Sequence, residues 1–460
     1  MVASPLCWSR NSLISSNASP SLLAHHLTAA GETEHAVNQW LKAGRHAAAR
    51  LAHVEAISHF ERGLASLAAL PEDPVRDGLE IELQLARGSS LFTAHGFNAT
   101  DAGNVYARAR QLAERRGDSH QLFMAVYGLW QSAAGSGKIL DCRKLSSRLQ
   151  QLTADGHNDE LLLQAHHSAW TTCLYAGMPA ESREHSEAGR RIYDPERHRL
   201  HRELYGGHDP GVCACHIGAQ VRWLLGYPEK GFALSQEALA LAEKIAHPFS
   251  LALTLQYNSM LQLELGEPEL ALQRLERAEA LAAEQRLGFV LEPQLLRGAA
   301  LTLQGALGEA AVCLREKLSD RASAMRLRCF GLATLSDALI RQGEYAAALA
   351  TVEEGLGIEE ETGNRQWDAE LHRLRGVALA GLSRLEEGQT ALNDAIRSAR
   401  RQQAKSYELR AAMSMARLWR DQGKRDEARE LLAPVYGWFT EGFDTRDLKE
   451  AKALLEELAS

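Results

Sequence analysis

Trp223-Leu224-Leu225-Gly226-Tyr227-Pro228-Glu229-Lys230-Gly231 and, forty residues on, Leu263-Glu264-Leu265-Gly266-Glu267-Pro268-Glu269-Leu270-Ala271 decide the fold. Each runs from an apolar stretch into a turn glycine. A second small residue follows five places later and opens a new apolar stripe. The same pair recurs as Gly305 with Ala310, Gly343 with Ala348, Ser383 with Gly388 and Gly423 with Ala428. From Gly226 onward the turn residues are separated by 40, 39, 38, 40 and 40 positions. Gly137 with Cys142 and Gly177 with Ser182 extend the series upstream at an interval of 40, and Gly31 with Ala36 and Gly96 with Asp101 are weaker members.

A repeated unit of this length predicts a stack of helix hairpins. Glycine accepts positive φ where the chain reverses between two antiparallel helices. The small residue five places on stands where the second helix meets the first, and a large side chain there would force them apart. Apolar residues then follow at helical spacing, as in Ala271, Leu275, Ala278 and Ala282, or Tyr345, Ala348, Val352 and Leu356. The expected fold is all-α, a tetratricopeptide-like α-solenoid of antiparallel hairpins with a period near 40. Since the standard unit has about 34 residues, each helix should be longer by about a turn. The stack should curve into a superhelix with one concave surface.

Gly177 and Gly226 are 49 residues apart, so that unit holds an insertion. Residues 194–211 carry Pro195, Gly206, Gly207 and Pro210, which predicts a loop and the main break in the stack. The expected organisation is a disordered or unrelated segment over 1–20, N-terminal repeats over 21–193, the inserted loop over 194–211, and C-terminal repeats with a capping helix over 212–460.

Composition fits this reading. The 460 residues are 45% hydrophobic and only 6% aromatic, with 12 prolines. Net charge is −8 with both signs intermixed, which excludes a basic stripe for nucleic acid. The short run Arg397, Arg400 and Arg401 reads as a solvated helix face. Seven scattered cysteines point to free thiols and a cytoplasmic location. No apolar run is long enough to span a membrane, and residues 1–20 lack the apolar core of a secretory signal.

Few residues suggest chemistry. Ser132–Ile139 approaches a phosphate-binding loop, but Ser132 replaces its first glycine and Ile139 its metal-binding hydroxyl. His208, Asp209, Cys213, Cys215 and His216 form the densest cluster of potential ligands. Against a metal site, Cys213 and Cys215 would point apart on a helix. The competing reading makes His208-Asp209-Pro210 a helix start, with Asp209 as N-cap, Pro210 in the first turn and Cys213 a small buried residue. The pairs His25-His26 and His166-His167 are expected on the surface or half-buried. No catalytic, cofactor-binding or metal residue is assigned.

Three stretches resemble the helical-repeat arm of bacterial proteins that join a class III adenylate/guanylate cyclase domain and an ATPase domain to such an arm. They are Leu22–Gly31 (Leu-Leu-Ala-His-His-Leu-Thr-Ala-Ala-Gly), His208–Cys213 with Trp223–Pro228, and the tail Leu432–Phe443 (Leu-Ala-Pro-Val-Tyr-Gly-Trp-Phe-Thr-Glu-Gly-Phe) running on to Asp447-Leu448. The resemblance covers roughly residue 20 to the end. Cys215 and His216 depart from it, standing where plain helix residues are expected. In that family the catalytic domains lie upstream of the arm, so the chain is expected to carry neither, and no catalytic residue transfers. The resemblance implies a sensing or scaffolding arm with protein partners in its groove, among them a cyclase or ATPase module. A small-ligand-sensing arm and a zinc-dependent enzyme using His208–His216 are the alternatives.

Overall fold

A computed structural model describes residues 19–460 except 97, 98, 100, 155, 157, 288–292 and 320–324. The expectation for residues 1–20 therefore lies outside the described residues, apart from Ser19 and Pro20. All regular structure among the described residues is helical. After α1 (Pro20–Ala29) come the hairpins α2 (Thr33–Ala49) with α3 (His53–Leu67), α4 (Pro74–His95) with α5 (Ala102–Arg116), α6 (Ser119–Gly135) with α7 (Ile139–Leu152), and α8 (Asp159–Tyr175) with α9 (Pro179–Ile192). The short α10 (His201–Leu204) precedes α11 (Pro210–Leu224) with α12 (Pro228–Ile245), α13 (Pro248–Leu265) with α14 (Pro268–Gln285), and α15 (Pro293–Gln304) with α16 (Leu307–Leu318). Then follow α17 (Arg328–Arg341) with α18 (Tyr345–Thr362), α19 (Asp368–Gly381) with α20 (Leu385–Gln402), and α21 (Lys405–Asp421) with α22 (Arg425–Tyr436), before the closing α23 (Arg446–Ala459). The fold is a tetratricopeptide-like α-solenoid.

The repeat positions explain the hairpins. Gly137, Gly177, Gly226, Gly266, Gly305, Gly343 and Gly423 all turn with positive φ between the two helices of a hairpin. Ser383 does the same, and so does Leu51, whose bulk hid one more repeat from the sequence pattern. The small residues five places later are buried at the helix crossing. Ser182 donates to the carbonyl of Trp170 at 2.6 Å. A Cβ on Gly231 would stand 2.9 Å from the Ala219 carbonyl oxygen, and one on Gly388 would stand 2.9 Å from that of Gly376. In the weaker pair Gly96 and Asp101 the register slips by one: Asp101 is exposed and Ala102 is the buried residue.

Successive first helices pack on one another, and successive second helices make no comparable contact. The first helices therefore line the inner side of the curve. One superhelical turn brings hairpin turns onto later repeats. The Gly137 turn meets Met325, and the Gly177 turn meets Arg365, each 188 residues on. The Gly226 turn meets Lys405 and the Gly266 turn meets Arg446, after 179 and 180 residues. The first two spans are eight or nine residues longer, matching to within a residue the nine-residue excess of the long unit, which only they contain. About four and a half units thus complete a turn.

The insertion does not break the stack, contrary to the sequence expectation. α9 and α11 pack directly together. Tyr205, Gly206, Gly207, His208 and Asp209 are buried against the inner face. Gln131 of α6 donates to the Tyr205 carbonyl (3.0 Å), Ser89 of α4 to that of Glu203 (2.6 Å), and the Asp209 amide donates to Ser250 of α13 (2.9 Å). The segment supplies polar backbone inside the coil, and neighbouring side chains satisfy it.

Candidate ligand-binding cavities on the inner face

Among the described residues, two large cavities lie along the coil with a buried core between them. The C-terminal cavity, of about 390 Å³, is lined by first helices of successive hairpins and by α23. Arg341, Arg373, Arg410, Arg417 and Arg446 face Glu264, Asp337, Glu370, Asp447 and Glu450, with Phe330 and Trp367 in the wall. Arg410 organises it. Its guanidinium donates to Glu264 Oε2 at 2.9 Å and Asp447 Oδ2 at 2.6 Å, and lies 5.0 Å from the Trp223 ring centre. Arg373 forms a two-pronged pair with Glu370 at 2.6 and 2.9 Å. Burial pushes the Glu264 carboxyl above its ordinary range, with Arg410 pulling the other way. Burial also opposes ionisation of Asp447, but Arg410 and Arg446 overcome it and hold that carboxyl low. Such fixed pairs of both signs can match the alternating donors and acceptors of a peptide.

The N-terminal cavity, of about 590 Å³, is more apolar. Phe60, Leu85, Met124 and Leu204 form much of its wall, with His53, His120 and His247 as polar points. Burial lowers His53 to about 4 and His247 to about 3.

The buried core between the two cavities contains His167, His208, Cys213 and His216 of the residues singled out in the sequence. Asp209 caps α11, accepting from the amides of Gly211 (2.9 Å) and Val212 (3.0 Å), and Tyr193 donates to it at 3.0 Å. Pro210 occupies the first turn of that helix. Cys213 and His216 face one small space with His208 and His167. Cys215 turns away, toward Arg190 and Glu237. His167 departs from the surface or half-buried position expected for its pair: it is 2% exposed and stacks on Trp170 at 4.7 Å. His166 is half-buried against His185, and His25 and His26 are exposed. The Ser132–Ile139 stretch is the end of α6, a repeat turn and the first residue of α7, with Gly137 packed against the backbone of Met325 and Arg326. Arg397, Arg400 and Arg401 are exposed and paired with Asp394, Glu408 and Asp368. The cysteines among the described residues are unpaired thiols. No helix among the described residues is long and apolar enough to cross a membrane.

The fold and its inner cavities define the class, an α-solenoid of tetratricopeptide-like hairpins. A scan against protein-family models finds no match. An uncharacterized protein of Rhizobium meliloti (strain 1021) is 27% identical over 411 residues, covering 86% of this chain. The chain spans 39% of that relative's length. Among solved structures, the Cut9–Hcn1 assembly of APC/C aligns over 89% of this chain and 78% of its own, at 14% identity and a TM-score of 0.48. A Rap protein complexed with competence and sporulation factor aligns over 93% and 99%, at 14% identity and 0.41. NprR in complex with its cognate peptide NprX aligns over 73% and 96%, at 11% identity and 0.45. At these levels the likenesses add nothing to the architecture described above.

Proposed function

We propose that this chain is a non-catalytic interaction module that receives an extended segment of a protein partner in its C-terminal cavity. The observation that carries this reading is the wall itself: ten charged side chains of both signs around Phe330 and Trp367, on rigid helices. The buried pairs around Arg410 fix donor and acceptor directions before any partner arrives, which lowers the ordering cost of binding. The resemblance to the arm of cyclase–ATPase proteins makes a module of that kind the first partner to test.

The experiment is affinity capture from native lysate with the intact chain beside an Arg341→Glu/Arg417→Glu variant. Both residues line the cavity and are about 40% exposed, so the fold should tolerate the change. A partner held by the parent chain and reduced at least tenfold in the variant supports the reading. Equal capture by both places the contact elsewhere and contradicts it.

The apolar N-terminal cavity favours a second reading, a sensor of a small ligand. Native mass spectrometry of the purified chain, with Met124→Trp filling the space, tests it. A co-purifying small molecule lost in the variant supports it, and a chain of bare mass in both contradicts it.

A further inference from the structure

The His208–His216 cluster does not fit a zinc enzyme. A catalytic zinc keeps an open position for water or substrate, and the space these residues share is about 30 Å³ and enclosed by Trp130, Leu253 and Tyr257. That volume suits one ion or one or two waters. The donors around it come from separate parts of the chain: His167 from α8, His208 from the insertion, Cys213 and His216 from one face of α11.

We propose that this space is a structural zinc site, with His167 Nε2, His208 Nε2 and Cys213 Sγ as ligands and the fourth position facing His216, which lines the same space outside their mutual spacing. One potential ligand atom from each of these three residues already lies within 4.8 Å of the others. The two Nε2 atoms are 3.2 Å apart, close to the roughly 3.3 Å that two imidazoles span on a tetrahedral zinc with bonds of ~2.0–2.1 Å. With a Zn–S bond of ~2.3 Å, the Cys213 sulfur would have to move about an ångström closer to the two rings. Both ligand rings are braced at their far nitrogens. His167 Nδ1 lies 2.8 Å from Tyr127 Oη and 3.0 Å from Gln164 Oε1, and His208 Nδ1 faces the Gly206 carbonyl at 3.5 Å. Such outer contacts orient metal-bound histidines.

His216 supplies the independent observation. It is 1% exposed, and neither ring nitrogen has a hydrogen-bond partner. A buried polar ring left unpaired is unfavourable, and coordination would satisfy one of its two nitrogens. Its ring stacks on Tyr257 at 4.1 Å, which holds it against the same space.

Zinc would take the place of the Cys213 thiol proton, which leaves to solvent. The thiolate cancels one of the ion's two charges, and Arg326 lines the same space. The ion would tie the insertion to α8 and α11 at the centre of the coil.

The test is metal analysis of the full chain purified without a metal-chelating tag, then stripped with chelator and re-titrated with zinc. Stoichiometric zinc, and an unfolding temperature that rises on re-addition, are the expected results. Cys213→Ser and His208→Gln should lose both effects, and Cys215→Ser, two residues along the same helix, should keep them. Should the ligand variants fail to fold, cobalt(II) added to the stripped parent chain reads the same geometry through tetrahedral and thiolate-to-cobalt absorption bands. A stripped chain that takes up no zinc, keeps its unfolding temperature and gives no thiolate band with cobalt would overturn the proposal. Equal retention of zinc by a folded Cys213→Ser variant would overturn it as well.

Discussion

At the residue scale, chemically similar turn glycines do different work. Gly226 and Gly423 both turn at positive φ, +88° and +78°. A Cβ on Gly423 would meet nothing within 4 Å, whereas one on Gly226 would stand 2.5 Å from the Trp438 ring and 2.8 Å from Lys405 Cβ. Alanine at 423 should therefore cost only the left-handed backbone strain, about 1 kcal/mol. Alanine at 226 should cost at least twice that, because the next superhelical turn must also move. Denaturant midpoints of the two variants check this, and equal losses would contradict the inter-turn contact. The sequence carried the turn chemistry of both glycines, but not this difference, which depends on a residue 179 positions away. Leu51 marks the opposite limit: a turn held by a residue that disfavours its conformation has no local signature.

At the element scale, α11, α13 and the insertion hold the centre, and part of that was legible. Pro248–Leu265 contains a single charged residue, Glu264, and Pro210–Leu224 contains only Arg222. Helices so poor in charge are covered on all sides, and α13 is buried along almost its whole length. The burial of residues 194–211 was not legible, because glycine and proline mark a turn without saying what covers it. The histidines of this region give a pH dependence. Burial lowers His53 and His201 to about 4, His247 to about 3, and His185 and His198 below the ordinary 6.5. They stay neutral when folded, while the unfolded chain takes up protons below about pH 6.5. Stability should fall as pH drops from about 6.5 toward 4, by up to ~1.4 kcal/mol per pH unit for each histidine. Burial raises the carboxyls of Asp209, Glu264 and Glu359, which act in the opposite sense because their contribution is lost as pH rises. Five imidazoles outweigh three carboxyls in this window. An unfolding temperature measured at pH 7 and pH 5 should be clearly lower at pH 5, and equal values would contradict the neutral burial of these rings.

At the scale of the whole molecule, the period of 40 gave the solenoid, and the inter-turn contacts give the superhelix its closed form. Most repeat stacks touch only their neighbours. Here Ser406 donates to the Trp223 carbonyl and the Arg365 amide to that of Tyr175 at 2.8 Å, joining distant repeats. This coil leaves its inner face accessible as separate cavities instead of one continuous groove. The C-terminal cavity was not legible in the sequence because Arg373, Arg410 and Glu370 resemble any solvated helix charge until the first helices converge. The role proposed for this cavity is to receive a partner. The most direct measurement places a photo-crosslinking amino acid at Asp337, in the cavity wall, or at Val312, 66% exposed on α16, in the chain expressed in its native cell. A discrete crosslinked partner is expected from position 337 and none from position 312. No adduct from position 337, or the same adducts from both positions, would contradict it.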